Sequence, residues 1–356
     1  MWGKILLMFN SLQIDNLRGI KHAELKDFAR INLLFGKNNC GKSTILEALF
    51  LVSGQSNPTL PLTINMLRNY NGFSERDLDI EFYNLDPKNK IEISTTGDQN
   101  RWVKITQIVS NSNTVTLETL AKGDTAKSGK HYGLRLDFSI GNSDKTYSSQ
   151  VVIKEGDKEN GKVSVDDRYK ETVYSQYIPS NWSQSSMYEE FARIVANKKE
   201  KGVLDALRKI DDEIKDIQLV SDEILIDIGA SQRLPINMVG DGLRKLLMII
   251  VSIYRCRGGV LLIDEIDNGL HFSAMKILWQ IILSAAEEND VQLFASTHNI
   301  DSLKGLNEVL KEKEYEKYRN EVCAYKLIKL KEGNVASVRY DYPSFQYSID
   351  QELEVR

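Results

Sequence analysis

The octapeptide Gly36-Lys37-Asn38-Asn39-Cys40-Gly41-Lys42-Ser43 limits what this chain can fold into more than any other stretch. It matches G-x-x-x-x-G-K-[ST], for which a chance match in 356 residues is roughly one in a hundred at average residue usage. Before it, Ile31–Phe35 is a short apolar run that reads as a buried strand; after it, Ser43 to Val52 reads as a helix. A strand, a glycine-rich loop and a helix start make the unit that wraps backbone N–H groups around a phosphate. Gly36 and Gly41 let the backbone turn without a Cβ clash. Lys42 is the candidate cation for the β- and γ-phosphates, and the Ser43 hydroxyl is a candidate Mg²⁺ ligand. ATP with Mg²⁺ is therefore the expected ligand, with the loop residues and Thr44 as its contacts.

Composition supports a globular host for such a loop. Hydrophobic residues make up 42% and charged residues 27%, enough for a sizeable core, and the net charge is −4. Nucleic acid would need a local basic patch rather than global charge. The longest apolar run, Leu246 to Tyr254, is about half of what a membrane span needs. Met1–Met8 lacks a small-residue cleavage site, so no secretory leader is expected. Cys40, Cys256 and Cys323 form no spaced framework, which suits a reducing cytoplasm.

Strands and helices alternate at both ends of the chain, which predicts an α/β fold with a parallel core sheet. Between them, residues 79–175 are rich in Thr, Ser, Val, Ile and Tyr with frequent turn signals, and read as an antiparallel β insertion. Tyr188 to Ile217 has helical spacing, within a helical subdomain over residues 184–256. Residues 304–332 carry mixed charge and read as a solvated helix face. The whole of 1–356 is expected to form a single unit.

Three further motifs carry chemistry. Val260-Leu-Leu-Ile-Asp264-Glu265 ends a buried strand in two acids, which are costly there without a cation. Asp264 is the candidate Mg²⁺ ligand and Glu265 the candidate general base. Gln292 to His298 ends a second buried strand, and His298 is placed to bond the γ-phosphate and the attacking water. Gly240-Asp241-Gly242 opens a long helix whose N-terminus can bind an anion. One nucleotide needs only one phosphate loop, so this second helix start is read as a cap on a nucleotide held by another copy; a plain N-cap at Asp241 is the alternative.

In this order the motifs resemble ABC-type ATPase heads, and more narrowly the AAA15/AAA21 group related to structural-maintenance-of-chromosomes heads and overcoming-lysogenization-defect nucleases. Leu12–Ile20, Ile31–Leu49, Pro235–Lys245, Leu262–His271, Phe294–Asn299 and Leu353–Arg356 carry the likeness. The resemblance implies ATP-driven head-to-head homodimerisation, an effector nuclease or toxin subunit as partner in anti-phage defence, DNA as a further partner, and no membrane. It implies that Arg18 contacts nucleotide and that Asn268, Gly269, Leu270 and His271 cross the dimer interface. The serine of the ABC signature has no evident counterpart near Gly240, and coiled-coil arms are missing. Gln55 and Gln107 both remain candidates for the glutamine loop. A slow nucleotide-gated scaffold and, with less in its favour, an intrinsic nuclease are the rival functions; the Asp77-Leu-Asp79 pair reads more simply as a turn before a strand.

Overall fold

The computed structural model describes residues 8–72, 74–110, 130–142, 145–155, 161–181, 185–221 and 223–351. The C-terminal stretch Leu353–Arg356 lies outside them. The hairpin β1 (Phe9–Leu17) and β2 (Ile20–Lys26) leads to β3 (Ile31–Phe35), the phosphate loop and helix α1 (Lys42–Ser53). Short helices α2 (Leu60–Leu67) and α3 (Glu75–Asp79) follow. Then come β4 (Ile91–Gly97), β5 (Arg101–Ser110), β6 (His131–Ile140), β7 (Tyr147–Lys154) and β8 (Lys162–Ser164). After β9 (Ser175–Ile178) the chain forms α4 (Ser185–Ala196) and α5 (Glu200–Arg208). Strands β10 (Asp216–Val220), β11 (Glu223–Asp227) and β12 (Leu234–Pro235) precede α6 (Asp241–Arg255). Next are β13 (Val260–Ile263), α7 (Met275–Glu288), β14 (Gln292–Thr297) and α8 (Ile300–Lys311). Finally β15 (Val322–Lys329), β16 (Asn334–Tyr340) and α9 (Tyr342–Asp350) complete the described chain.

Among the described residues, 13 strands form one sheet in the order β8-β7-β6-β5-β4-β1-β2-β16-β15-β3-β14-β13-β9. From β15 to β9 the neighbours run parallel, whereas β8 through β2 are antiparallel. Every residue of β3, β13 and β14 is buried, as strands covered on both faces require. Leu33 of β3 packs into the core that holds α6, α7 and α8, while its neighbour Leu34 joins the core beneath α1. Strands β4 and β5 instead begin with alternating burial, consistent with one solvated face.

Register places the site. Thr297 pairs with Phe35 across β14 and β3, and Ala295 pairs with Ile263 across β14 and β13. The carboxyl ends of three adjacent parallel strands therefore lie side by side, where open α/β sheets bind ligands.

Three expectations change. The mixed-charge stretch 304–332 is not one helix: α8 ends at Lys311, and Val322–Lys329 is a strand inserted between β3 and β16. Its first four residues are buried, and most of the nearby charges belong to the preceding 3-10 helix, Lys313–Asn320. The helical pattern stops short of Ile217, which lies in β10 of a separate three-stranded sheet with β11 and β12. Asp77 and Asp79 lie in helix α3, where the Ser74 hydroxyl and the Asp77 carboxylate form a capping box, rather than in a turn.

Candidate active site

The loop from Gly36 to Ser43 has the backbone its glycines suggest. Gly36 has φ +140°, and a Cβ there would meet the Leu327 carbonyl oxygen at 2.6 Å. Gly41, with φ +101°, is the N-cap of α1. No side chain caps α1 and its first turn carries no acid, which leaves the positive end of the helix free for an anion. Lys42 is buried in the loop, where its Nζ donates to the carbonyls of Gly36 at 2.8 Å and Lys37 at 3.0 Å. Lys37, Asn38 and Asn39 are exposed on the outer arc, and Ser43 and Thr44 are half-buried in the first turn. Cys40 is a free, buried thiol 3.2 Å from where a Gly36 Cβ would lie, so little beyond a small side chain fits.

At the neighbouring strand end, Asp264 is buried and accepts a hydrogen bond from the Ser296 hydroxyl at 2.5 Å. The same hydroxyl oxygen accepts the Glu265 backbone N–H at 2.8 Å. Strand pairing continues past the acids: the Asp264 N–H bonds the Ile178 carbonyl and the Ile266 N–H bonds the Ser296 carbonyl. Between them Glu265 is forced to φ +49°, a left-handed conformation that costs a non-glycine residue about 1 kcal/mol or more. That twist carries its carboxylate to the half-exposed side, where Oε1 lies 3.7 Å from Nδ1 of the exposed His298. Ser43 and Asp264 offer one hydroxyl and one carboxylate. Such a pair suits Mg²⁺, which usually keeps waters and phosphate oxygens as its remaining ligands.

Helix α6 begins beside this strand end. Its N-cap is Gly240 rather than Asp241; Asp241 is the first helical residue and its exposed carboxylate pairs with Arg244. A Cβ at Gly240 would meet nothing within 4 Å, whereas one at Gly242 would lie 3.3 Å from Leu270 Cδ2. A side chain at Gly242 would thus press on Leu270 of its own chain, in the segment that follows Glu265. Met238 and Phe272, which flank these two segments, are 75% and 64% exposed.

A family model described as "AAA domain, putative AbiEii toxin, Type IV TA system" matches residues 31–303, a span that runs from β3 through His298. The chain belongs to this AAA21 family. An ATP/GTP phosphatase of Helicobacter pylori is 26% identical over 337 residues, covering 86% of this chain and 90% of that protein. Two solved structures share the fold. A structural-maintenance-of-chromosomes head bound to the C-terminal winged-helix domain of ScpA has TM-score 0.51 and 11% identity, covering 94% of this chain and 98% of that one. A second such head with an extended coiled coil, bound to a ScpA C-terminal domain from Pyrococcus furiosus, has TM-score 0.50 and 10% identity over 97% and 99%. This AAA21 chain is accordingly a nucleotide-binding ATP hydrolase of the P-loop class, with an ABC-type α/β head.

Within the AAA21 head, sheet register brings the phosphate loop, Asp264, Glu265 and His298 to one crest. Arg18 is differently engaged. Its guanidinium meets Glu47 at 3.1 Å, Glu81 at 3.2 Å and Asn65 Oδ1 at 2.8 Å, a buried cluster that Arg68 joins through Glu47 at 2.5 Å. Glu47 lies one turn beyond Ser43 on α1, so Arg18 braces that helix. Burial pushes the Glu81 carboxyl upward against the pull of Arg18. Gln55 bonds the Ser139 carbonyl and Gln107 bonds Glu75 and Asp79, so neither has a partner in the crest. Ser296 and Lys245 escaped the sequence reading. A hydroxyl in a fully buried strand was the available signal for Ser296. For Lys245 it was a lysine within the apolar stretch of α6.

Proposed function

We propose that the chain binds ATP with Mg²⁺ at the Gly36–Thr44 loop, that two copies close head to head around the nucleotides, and that the closed pair controls a partner effector in anti-phage defence or DNA-related work. The observation that carries closure is the start of α6: an uncapped helix N-terminus at Gly240, exposed beside Met238 and Phe272. Such an end supplies N–H donors and a positive pole to a γ-phosphate brought by a second copy. Asn268 to His271, next to it, would face the same partner. A cytoplasmic setting fits this role, and among the described residues no helix is long and apolar enough to cross a membrane.

For turnover, Lys42 and the free end of α1 balance the charge of the β- and γ-phosphates. Glu265 takes the proton of the attacking water while His298, 3.7 Å from it, helps orient that water. Ser296 holds Asp264 and the Glu265 backbone in place through its two hydrogen bonds. Ser43 and Asp264 would hold Mg²⁺, which would supply charge neutralisation at the phosphate oxygens. Asp77 and Asp79 have structural partners, Asp77 capping α3 and Asp79 accepting from Gln107, which lends the nuclease rival nothing.

Closure is tested by sedimentation of a Glu265→Gln chain with ATP, ADP and no nucleotide. Mass should double with ATP only, because a ligand shifts an equilibrium by its differential affinity for the two states. Gly240→Glu, placed where a Cβ has open space, should keep ATP binding and lose association. An oligomer indifferent to nucleotide and to Gly240 would overturn closure. Association without phosphate release from the parent chain would favour the gated scaffold.

A further inference from the structure

Lys245 stands in α6 one turn after Asp241, with a side chain 1% exposed and an Nζ that has no hydrogen-bond partner among the described residues. Asp267, 6% exposed, has a buried Oδ1 that likewise lacks a partner. The acids acting on the ammonium are Asp267 most strongly, then Asp264 and Glu265. Burial outweighs all three and lowers its pKa to about 8. The start of α6 packs against the segment that follows the acids: a Cβ at Gly242 would lie 3.3 Å from Leu270 Cδ2 and 3.7 Å from the Gly269 carbonyl. Helix α6 therefore rests on the segment that carries the acids, and its one buried cation points to no bonded group.

A buried ammonium and a buried carboxylate oxygen left unbonded are each destabilising, and closing the pair with good geometry offsets that cost. Such an arrangement is hard to account for as packing alone, because an apolar side chain of the same length would fill the space without the penalty. It makes sense if the two groups meet in a second state. On the closure reading, α6 touches the other copy's nucleotide while Asp264 and Glu265 serve their own. A bond from Lys245 to Asp267 would join these two tasks inside one chain.

We infer that Lys245 is a positioning residue: when ATP closes the pair, its ammonium bonds Asp267 and fixes the Asp264–Leu270 segment, so that Glu265 is held for turnover only once α6 is engaged. It touches neither nucleotide nor reacting water. The inference rests on the closure proposed above.

The test uses the full chain with Lys245→Met, Asp267→Asn and the double variant. Methionine keeps most of the volume and removes the charge. Without nucleotide, Lys245→Met should melt at least as high as the parent, with a rise of roughly 2 °C expected from removing an uncompensated buried charge. ATP affinity by calorimetry should stay within about twofold, while kcat falls roughly tenfold or more. The double variant should be no slower than the slower single, as a shared contact demands. In a Glu265→Gln background, ATP-driven association should weaken with Lys245→Met.

A lowered melting point together with the rate loss would make Lys245 a merely structural residue and overturn the inference. So would an unchanged kcat, or single effects that multiply in the double variant. If Lys245→Met does not fold, Asp267→Asn, which preserves shape, must show the same loss of kcat with ATP affinity kept. Should the Glu265→Gln chain itself stay single with ATP, closure is what fails; the melting and rate comparison then decides the Lys245–Asp267 coupling by itself.

Discussion

Two lysines are buried among the described residues, Lys42 in the phosphate loop and Lys245 in α6, and their surroundings differ. Lys42 donates to two loop carbonyls at 2.8 and 3.0 Å, so its charge is accommodated where a phosphate would sit. Lys245 has acids near it and no bond to any of them. The phosphate loop is set before a ligand arrives: left-handed glycines, an uncapped helix end and a positioned cation all come from one short stretch. The strand end and α6 are less settled, with a strained Glu265 and orphaned polar groups at Lys245 and Asp267. Binding and turnover should therefore be separable by mutation, the loop governing the first and the strand end the second.

The largest separation is expected from Glu265→Gln, which keeps the shape of the side chain and removes its basicity. Its kcat should fall about 10²- to 10⁴-fold, the usual worth of a general base, with ATP affinity unchanged. Phosphate release assays beside calorimetry check both halves. Equal rates in parent and variant would place the base elsewhere.

Lys42→Ala should do the converse. Losing charge-assisted hydrogen bonds of about 3 kcal/mol lowers affinity roughly 100-fold, and calorimetry would show ATP binding weakened beyond easy detection. Unaltered affinity would break the contrast between the two regions, because the loop would then not be the binding half.

Ser296→Ala sharpens the comparison at a smaller scale. It leaves an Asp264 oxygen and the strained Glu265 N–H without their partner, a loss of about 1–2 kcal/mol in stability by thermal unfolding. kcat should drop roughly tenfold as Glu265 loses its hold, while affinity for ADP changes little.

Much of this head can be read from contiguous residues. The loop needs only its own glycines, its lysine and the helix that follows, so local sequence determines its form. Strands β3, β13 and β14 are buried throughout and mostly apolar because both faces are covered, which makes them legible and puts Asp264, Glu265 and His298 at their ends. The α/β class with an antiparallel layer follows from the same alternation. Tertiary structure alone decided the rest. Val322–Lys329 became a central strand because β3 and β16 flank it, although charges crowd the sequence just before it. Arg18 turned to Glu47 and Glu81, partners 29 and 63 positions away, since buried carboxylates must find a cation wherever the fold offers one. Lys245 and Asp267 lie 22 positions apart in the chain, and nothing local to either announces the other. Pairings of that kind depend on which surfaces the fold brings together, and a pattern of neighbours along the chain carries no record of it.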